Sequence, residues 1–233
     1  MNILVSIFRL SAYLHSSFFY KRKVASILGH SLKEINLIYK EVSSSQWFKE
    51  IAQKKNIKQG LFDFSMLSPL RAQTLYVLCR IAKPEIVVET GVSEGFSSTF
   101  ILQALEKNNK GHLYSIDLPN QPGQKLPENK TTGWLIPEDL KKRWMLILGS
   151  SREKLSALLN DLKNIDIFFH DSDHSYENMM FEFESAKSYL KSGGFLLSDD
   201  ITDNNSFRDF CNFNKCNYVR LFKLGIIKKI SIL

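Results

Sequence analysis

The sequence predicts an α/β domain built on a doubly wound, mostly parallel sheet, preceded by a helical extension. From about residue 68, short β-branched runs alternate with helical stretches of about ten to fifteen residues, the pattern of βαβ units. A glycine-containing loop follows the first of these runs, between a strand and a helix. These two observations place a ligand-binding sheet in residues 68–233 and a helical extension in residues 1–67.

Five strands and four helices follow from the apolar periodicity. The predicted strands are Ile86–Val88, His112–Asp117, Met145–Leu148, Ile165–Phe169 and Phe195–Ser198. The predicted helices are Leu70–Ala82, Phe96–Glu106, Ser151–Leu162 and Tyr176–Leu190. The tail differs, because the apolar runs Tyr218–Phe222 and Gly225–Ile232 are close enough in sequence to pair as an antiparallel hairpin. The residues between Pro119 and Gly133 are predicted to form a long loop.

The positive charge is confined to the extension. Residues 1–60 hold ten Lys and Arg against three Glu, whereas residues 61–233 hold 21 residues of each sign. A nucleic-acid channel across the main domain needs basic residues there, so we expect no nucleic-acid partner.

Residues 1–24 repeat apolar side chains at helical spacing and end in the cations Lys21, Arg22 and Lys23. One interpretation is a helix that packs on the domain or on a second subunit of a homo-oligomer; the other is weak contact with an anionic membrane surface. We favour packing. The stretch lacks the order of a cleaved secretory signal, and the three cysteines show no metal or disulfide spacing. We therefore expect a cytoplasmic protein with reduced thiols.

The loop after the first strand runs from Glu89 to Gly95. A dinucleotide fingerprint needs a middle glycine that admits the pyrophosphate, and Ser93 stands there instead. Asp117, at the end of the second strand, is placed to accept hydrogen bonds from a ribose diol. The pattern favours a nucleoside without a diphosphate, such as S-adenosylmethionine, with Gly91 and Gly95 shaping the loop. Glu89 is then expected to receive the ammonium end; a tight turn without a ligand is the alternative.

Acidic residues follow the fourth and fifth strands. Asp171 follows one strand, and Asp199 and Asp200 follow the next, so neighbouring strands bring the three carboxylates together. Three close carboxylates repel unless a cation offsets them, and oxygen ligands suit Mg²⁺ or another hard divalent cation. His174 is a candidate base. The alternative is that Asp173 or Asp200 caps the following helix and His174 only packs.

These motifs resemble class I S-adenosylmethionine-dependent methyltransferases. Lys83–Gly91 with Gly95 is similar to their first motif, Ser115–Asp117 to their second acidic strand end, and Asp166–Tyr176 with Lys191–Asp200 to small-molecule O-methyltransferases and the cephalosporin-hydroxylase-like group. The resemblance covers residues 68–233 and implies a seven-stranded Rossmann-like sheet with a C-terminal hairpin. In metal-dependent relatives the positions of Asp171, Asp199 and Asp200 hold the ion, although catechol-type members often have Asn at the last.

The expected activity is methyl transfer from S-adenosylmethionine to a hydroxyl of a small molecule, with His174 and Asp171 as catalytic residues and a divalent cation as an optional aid. Two other functions fit the same sheet. A nicotinamide-dependent oxidoreductase is disfavoured by Ser93, and a non-catalytic nucleoside-binding module is disfavoured by the retained acids and His174.

Overall fold

A computed structural model describes residues 18–55, 67–119, 126–127 and 129–229. The chain divides into two compact units, Met1–Ala82 and Lys83–Leu233. The division lies C-terminal to the predicted boundary at residue 67, because helix α4 makes its contacts with the preceding helices. None of the helices in these ranges has the length and apolar character needed to cross a membrane.

The described part of the first unit is helical. Its described helices are α1 (residues 18–28), α2 (Leu32–Ser44), α3 (Gln46–Lys54) and α4 (Leu67–Ala82). The Thr74 hydroxyl of α4 lies 2.8 Å from the Tyr20 hydroxyl and 2.7 Å from that of Tyr39, in a buried polar cluster. Tyr76 and Arg80 also bond Glu41 on α2. These buried polar contacts explain why α4 groups with the extension.

The stretch predicted as a packing or interfacial helix is described only from residue 18. Within it, Tyr20 and Val24 are buried, whereas Phe18 and Phe19 are each 47% exposed. The buried pair agrees with the packing interpretation for this part of the helix. Residues 1–17 lie outside the described ranges, and the membrane contact through residues 1–24 stays a prediction.

The second unit holds a seven-stranded sheet. Its strands are β1 (Ile86–Thr90), β2 (His112–Asp117), β3 (Trp144–Leu148), β4 (Ile165–His170), β5 (Leu190–Ser198), β6 (Tyr218–Leu221) and β7 (Leu224–Lys228). Its helices are α5 (Phe96–Asn108), α6 (Ser151–Leu162), α7 (Tyr176–Tyr189) and α8 (Ser206–Phe213), with a 3₁₀ helix at Glu138–Arg143. The predicted alternation of strands and helices is confirmed.

The strand order is β3-β2-β1-β4-β5-β7-β6. The first five strands pair in parallel, and the β6–β7 hairpin pairs antiparallel with β5. The predicted doubly wound sheet with a C-terminal hairpin is therefore confirmed. The order reverses between β1 and β4, which is where open α/β sheets bind their ligands.

The central strands are apolar because helices cover both faces of the sheet. Val88 on β1, Phe168 on β4 and Leu196 on β5 belong to one core cluster and are almost fully buried. Phe183 of α7 and Phe207 of α8 join this cluster. Near-continuous apolar runs are typical of parallel strands buried on both faces. This packing fixes the strand ends at one edge, and the loops that carry the polar residues start there.

Candidate active site

A cavity of about 550 Å³ lies at the carboxyl ends of the strands around the switch point. Its lining includes residues that follow β1, β2, β3 and β4: Gly91, Ser93, Asp117, Ser150, Asp171 and Asn178. The fold thus brings three predicted site residues, Gly91, Asp117 and Asp171, to one cavity. Its size and position fit a small-molecule ligand.

Gly91 is required by the approach of a neighbouring loop. Its φ is +84°, and a Cβ built there would lie 2.0 Å from the carbonyl oxygen of Asp171. Its N–H donates to Ile116 on β2 at 2.9 Å. Close approach of a ligand was the predicted reason for this glycine; in the structure the backbone after β4 also needs the same space.

Gly95 is the N-cap of helix α5 and contacts a different segment. Its φ is +85°, and a Cβ there would lie 2.9 Å from the Cα of Gly133. The carbonyl of Ser93 accepts a hydrogen bond from Gly133 at 2.8 Å, and that of Glu94 accepts one from Leu135 at 2.9 Å. The end of the predicted 119–133 loop, of which residues 120–125 and 128 are not described, therefore covers the cofactor loop.

Asp117 lies in the cavity with its carboxylate oriented by the backbone. Its Oδ2 accepts from the Ser93 N–H at 2.8 Å, and its Oδ1 accepts from the Leu118 N–H at 2.9 Å. Each carboxylate oxygen has further acceptor capacity. The side chain is therefore held at the end of β2 with the capacity to accept hydrogen bonds from a ligand.

Glu89 is fully buried behind the loop. Its Oε1 accepts from the Ser97 hydroxyl at 2.8 Å, and its Oε2 accepts from the hydroxyls of Ser98 at 2.6 Å and Ser115 at 2.9 Å. Burial raises the pKa of Glu89 to about 7, although the three hydroxyl donors oppose the increase. Its predicted role at the ammonium end of the cofactor stays a prediction, since its described contacts are with the protein.

His174 and Asp171 lie together in the loop after β4. The His174 Nε2 is 3.9 Å from the Asp171 Oδ1 and, among the described residues, has no hydrogen-bond partner. Burial, with a further contribution from His170, lowers the pKa of His174 although nearby aspartates oppose the decrease. The imidazole is therefore favoured in its neutral form, which can accept a proton.

The proposed capping role of Asp173 or Asp200 is wrong. Ser175 is the N-cap of α7, with its hydroxyl accepting from the Asn178 N–H, and Asn205 is the N-cap of α8. Asp173 instead accepts from the backbone N–H and the hydroxyl of Ser175 at 3.0 and 2.9 Å.

The predicted metal ligands are not arranged as a metal site. The ranges that the structure describes contain no group of three His, Cys, Asp or Glu side chains placed to hold an ion. Asp200 instead pairs with Lys223 of the β6–β7 hairpin, Nζ to Oδ1, at 3.0 Å. The same ammonium lies 3.0 Å from Asp203. Lys223 therefore supplies positive charge that the sequence argument assigned to a divalent cation, and these residues do not fit one in this arrangement.

Sequence reasoning missed Glu182, a fully buried acid on α7. Its carboxylate accepts hydrogen bonds from Thr90, His170, Ser172 and Asn178. A signal was present, because Glu182 shares the buried face of α7 with Met179, Phe183 and Ala186. An acid in an apolar stripe needs buried partners, but the sequence does not reveal which ones.

Residues 88–201 match a family described as a methyltransferase domain. No curated protein matches the chain significantly.

Solved structures share the fold. A methyltransferase of Podospora anserina with S-adenosylhomocysteine (SAH) bound is 14% identical, with a TM-score of 0.56 over 80% of this chain and 89% of that one. A Bacillus cereus O-methyltransferase in complex with SAH is 15% identical, with a TM-score of 0.53 over 80% and 92%. MycE of the mycinamycin biosynthetic pathway, in complex with Mg and SAH, is 12% identical, with a TM-score of 0.56 over 78% and 54%.

The oxidoreductase and the non-catalytic module are set aside by the family match, which covers the cofactor loop, Asp117 and the loop after β4. The sheet order and the reversal at β1 and β4 are those expected from the resemblance. The chain therefore carries a methyltransferase domain at residues 88–201 and is an S-adenosylmethionine-dependent methyltransferase.

Proposed function

We propose that this enzyme transfers the methyl group of S-adenosylmethionine to a hydroxyl of a small molecule, with His174 as the base. One observation carries the proposal. The Nε2 of His174 is buried in the loop after β4 without a hydrogen-bond partner among the residues that the structure describes, and residues of that loop line the same cavity as Gly91 and Asp117. A neutral ring nitrogen without a partner is suited to accept the proton of an acceptor hydroxyl.

The donor side uses the residues after β1 and β2. Asp117 accepts hydrogen bonds from the ribose diol, as its orientation by Ser93 and Leu118 favours. Gly91 lets the cofactor loop pass close to the backbone of Asp171, and Gly95 is the N-cap of α5. Glu89 is fully buried, so it does not contact the methionine end of the cofactor directly. It acts indirectly, by orienting the serine hydroxyls that donate to its carboxylate.

In the transfer, the acceptor oxygen attacks the methyl carbon and the carbon–sulfur bond breaks with its electron pair moving to sulfur. The hydroxyl proton passes to the Nε2 of His174, and the products are the methyl ether, SAH and an imidazolium. The Asp171 carboxylate, whose Oδ1 lies 3.9 Å from the same Nε2, stabilises the imidazolium by its negative charge. The sulfonium is already a strong donor, so positioning of the acceptor and removal of its proton are the main tasks of the protein.

No step is assigned to a metal, because Lys223 already pairs with Asp200. The acceptor class rests on the resemblance and on solved neighbours such as MycE from mycinamycin biosynthesis. Hydroxyls of a sugar or a polyketide are therefore the first acceptors to test.

Calorimetry with SAH and with NAD tests the donor, and we expect binding of SAH only. Methyl-labelled S-adenosylmethionine is then incubated with sugars, polyketides and phenols, and label in a methyl ether is the expected product. Tight NAD binding without a response to SAH contradicts the donor assignment. Label transferred only to amines or thiols contradicts the hydroxyl assignment.

A further inference from the structure

We propose that Glu182 is a positioning residue of the cofactor cavity, a role that rests on the proposed use of S-adenosylmethionine. Its carboxylate joins the end of β1, the end of β4 and the loop after β4 to helix α7. It acts on the ligand through the residues that it holds.

Each oxygen of the Glu182 carboxylate accepts hydrogen bonds from two donors. Its Oε2 accepts from the Thr90 hydroxyl and from the His170 Nδ1, the latter at 2.6 Å. Its Oε1 accepts from the Ser172 hydroxyl at 2.7 Å and from the Asn178 amide at 2.9 Å. These four donors come from β1, β4, the loop after β4 and α7, so one buried group connects four segments of the chain.

The environment favours an ionised group. Burial, the largest influence, raises the pKa of Glu182, but the hydrogen bonds that it accepts, led by the one from His170, outweigh burial and lower the pKa below its ordinary value. An ionised carboxylate can accept from all four donors at once. A glutamine side chain cannot accept all four hydrogen bonds, because its NH₂ group replaces one of the two oxygens and carries hydrogens instead of lone pairs.

The partners connect Glu182 to the ligand. Ser172 and Asn178 line the cavity. Thr90 directly precedes Gly91, and the Asp171 N–H donates to the Thr90 carbonyl at 2.8 Å. A shift of Thr90 against His170 therefore changes the separation of the cofactor loop from the loop after β4. At Gly91 the two loops are so close that a Cβ would not fit between them. A small shift of one loop therefore changes the shape of the cavity between them.

The test measures the affinity of the full chain for SAH by calorimetry, at a temperature where circular dichroism shows each variant to be folded. We expect Glu182→Gln to weaken binding about tenfold, because hydrogen bonds to a charged group are lost. The matched control is Ala186→Gly, on the same buried face of α7 but outside the hydrogen-bond network. It weakens the helix and is expected to leave SAH affinity within about twofold.

A double-mutant cycle separates positioning from general destabilisation. Ser172→Ala is measured alone and together with Glu182→Gln. If Glu182 acts through Ser172, the combined loss of affinity is smaller than the product of the single losses. A merely structural role predicts losses that multiply. If Glu182→Gln does not fold, Thr90→Val removes one donor at similar volume, and we expect about threefold weaker binding.

The outcomes distinguish the two proposals. If the wild-type chain does not bind SAH, the proposed function fails and this inference fails with it. If the wild-type chain binds SAH and Glu182→Gln binds equally well, only the inference is overturned. Multiplicative losses in the cycle overturn it as well.

Discussion

The two sides of the cavity are held by different kinds of interaction. On the donor side, after β1 and β2, Asp117 also holds the backbone, but the loops pack so closely on neighbouring segments that Gly91 and Gly95 are needed at positive φ. On the acceptor side, the loop after β4 is fixed by side chains of the Glu182 network, and the neighbouring loop after β5 is held by the pair between Lys223 and Asp200. The donor side therefore depends on the absence of a Cβ, and the acceptor side on charged groups from distant parts of the chain.

This difference explains which substitutions each side tolerates. A glycine that contacts backbone has no flexible neighbour to move, so adding one carbon forces the main chain to shift. A hydrogen-bonded side chain can lose one partner and keep the others. We therefore expect the largest effects on the donor side.

Gly91→Ala gives the largest expected effect. Its Cβ would lie 2.0 Å from a backbone oxygen at a φ of +84°. We expect loss of SAH binding in calorimetry and a decrease of about 4 kcal/mol in the free energy of unfolding, from overpacking and backbone strain together. Gly193→Ala is the control, since its φ is +77° but nothing lies within 4 Å of its Cβ. It is expected to cost about 1 kcal/mol, and an equal cost for both variants contradicts the close-contact argument.

His174→Ala tests the acceptor side. We expect turnover to fall at least a hundredfold, the usual contribution of a positioned base, while SAH affinity stays within about twofold. Because the pKa of His174 is lowered, the wild-type rate should rise with pH through that pKa and then level off. The measurements are turnover against pH on the acceptor found by the labelling screen, and calorimetry. Unchanged turnover would remove His174 from the proton transfer.

Glu89→Gln tests the buried acid of the donor side. The folded-state pKa of Glu89 is about 7 against an ordinary value of 4.5, so folding favours the protonated form. Stability from this group is fully present below pH 4.5 and is lost as the pH rises to about 7. The free energy of unfolding therefore decreases by about 3 kcal/mol over this range, which is 1.36 kcal/mol for each unit of difference between the folded-state and ordinary pKa values.

Urea unfolding of the wild type and Glu89→Gln at several pH values between 4.5 and 8 measures this loss. Glu89→Gln should lack this part of the pH dependence. Parallel stability profiles for the two proteins would show that Glu89 does not titrate with a raised pKa.

Removal of divalent cations gives the smallest expected effect. Since Lys223 pairs with Asp200 and Asp203, the acidic loops do not need a metal for charge balance. We expect turnover to survive exhaustive chelation and to change little when Mg²⁺, Mn²⁺ or Ca²⁺ is restored. A loss on chelation that one of these ions reverses would reinstate the site of Asp171, Asp199 and Asp200.

The sequence by itself determined the fold and the cofactor loop, because the features that predict them lie within short stretches of the chain. The alternation of strand and helix periods predicts the parallel sheet, and the short spacing of two apolar runs predicts the β6–β7 hairpin. Gly91, Gly95 and Asp117 follow β1 and β2 at fixed positions, so the strands identify them. Each of these inferences uses a short stretch of chain whose backbone preferences decide the result.

The tertiary structure alone decided how charge is balanced. Lys223 is more than twenty residues from Asp200 in sequence, and Glu182 is 92 residues from Thr90. Neither pairing has a local pattern, since a carboxylate bonds whichever donor the fold brings near it. The acids after β4 and β5 were predicted to need a compensating cation, and the structure places the Lys223 ammonium beside Asp200 at this position. The physical reason is that strand order sets which loops meet, and side-chain partners are fixed only after those loops are in contact.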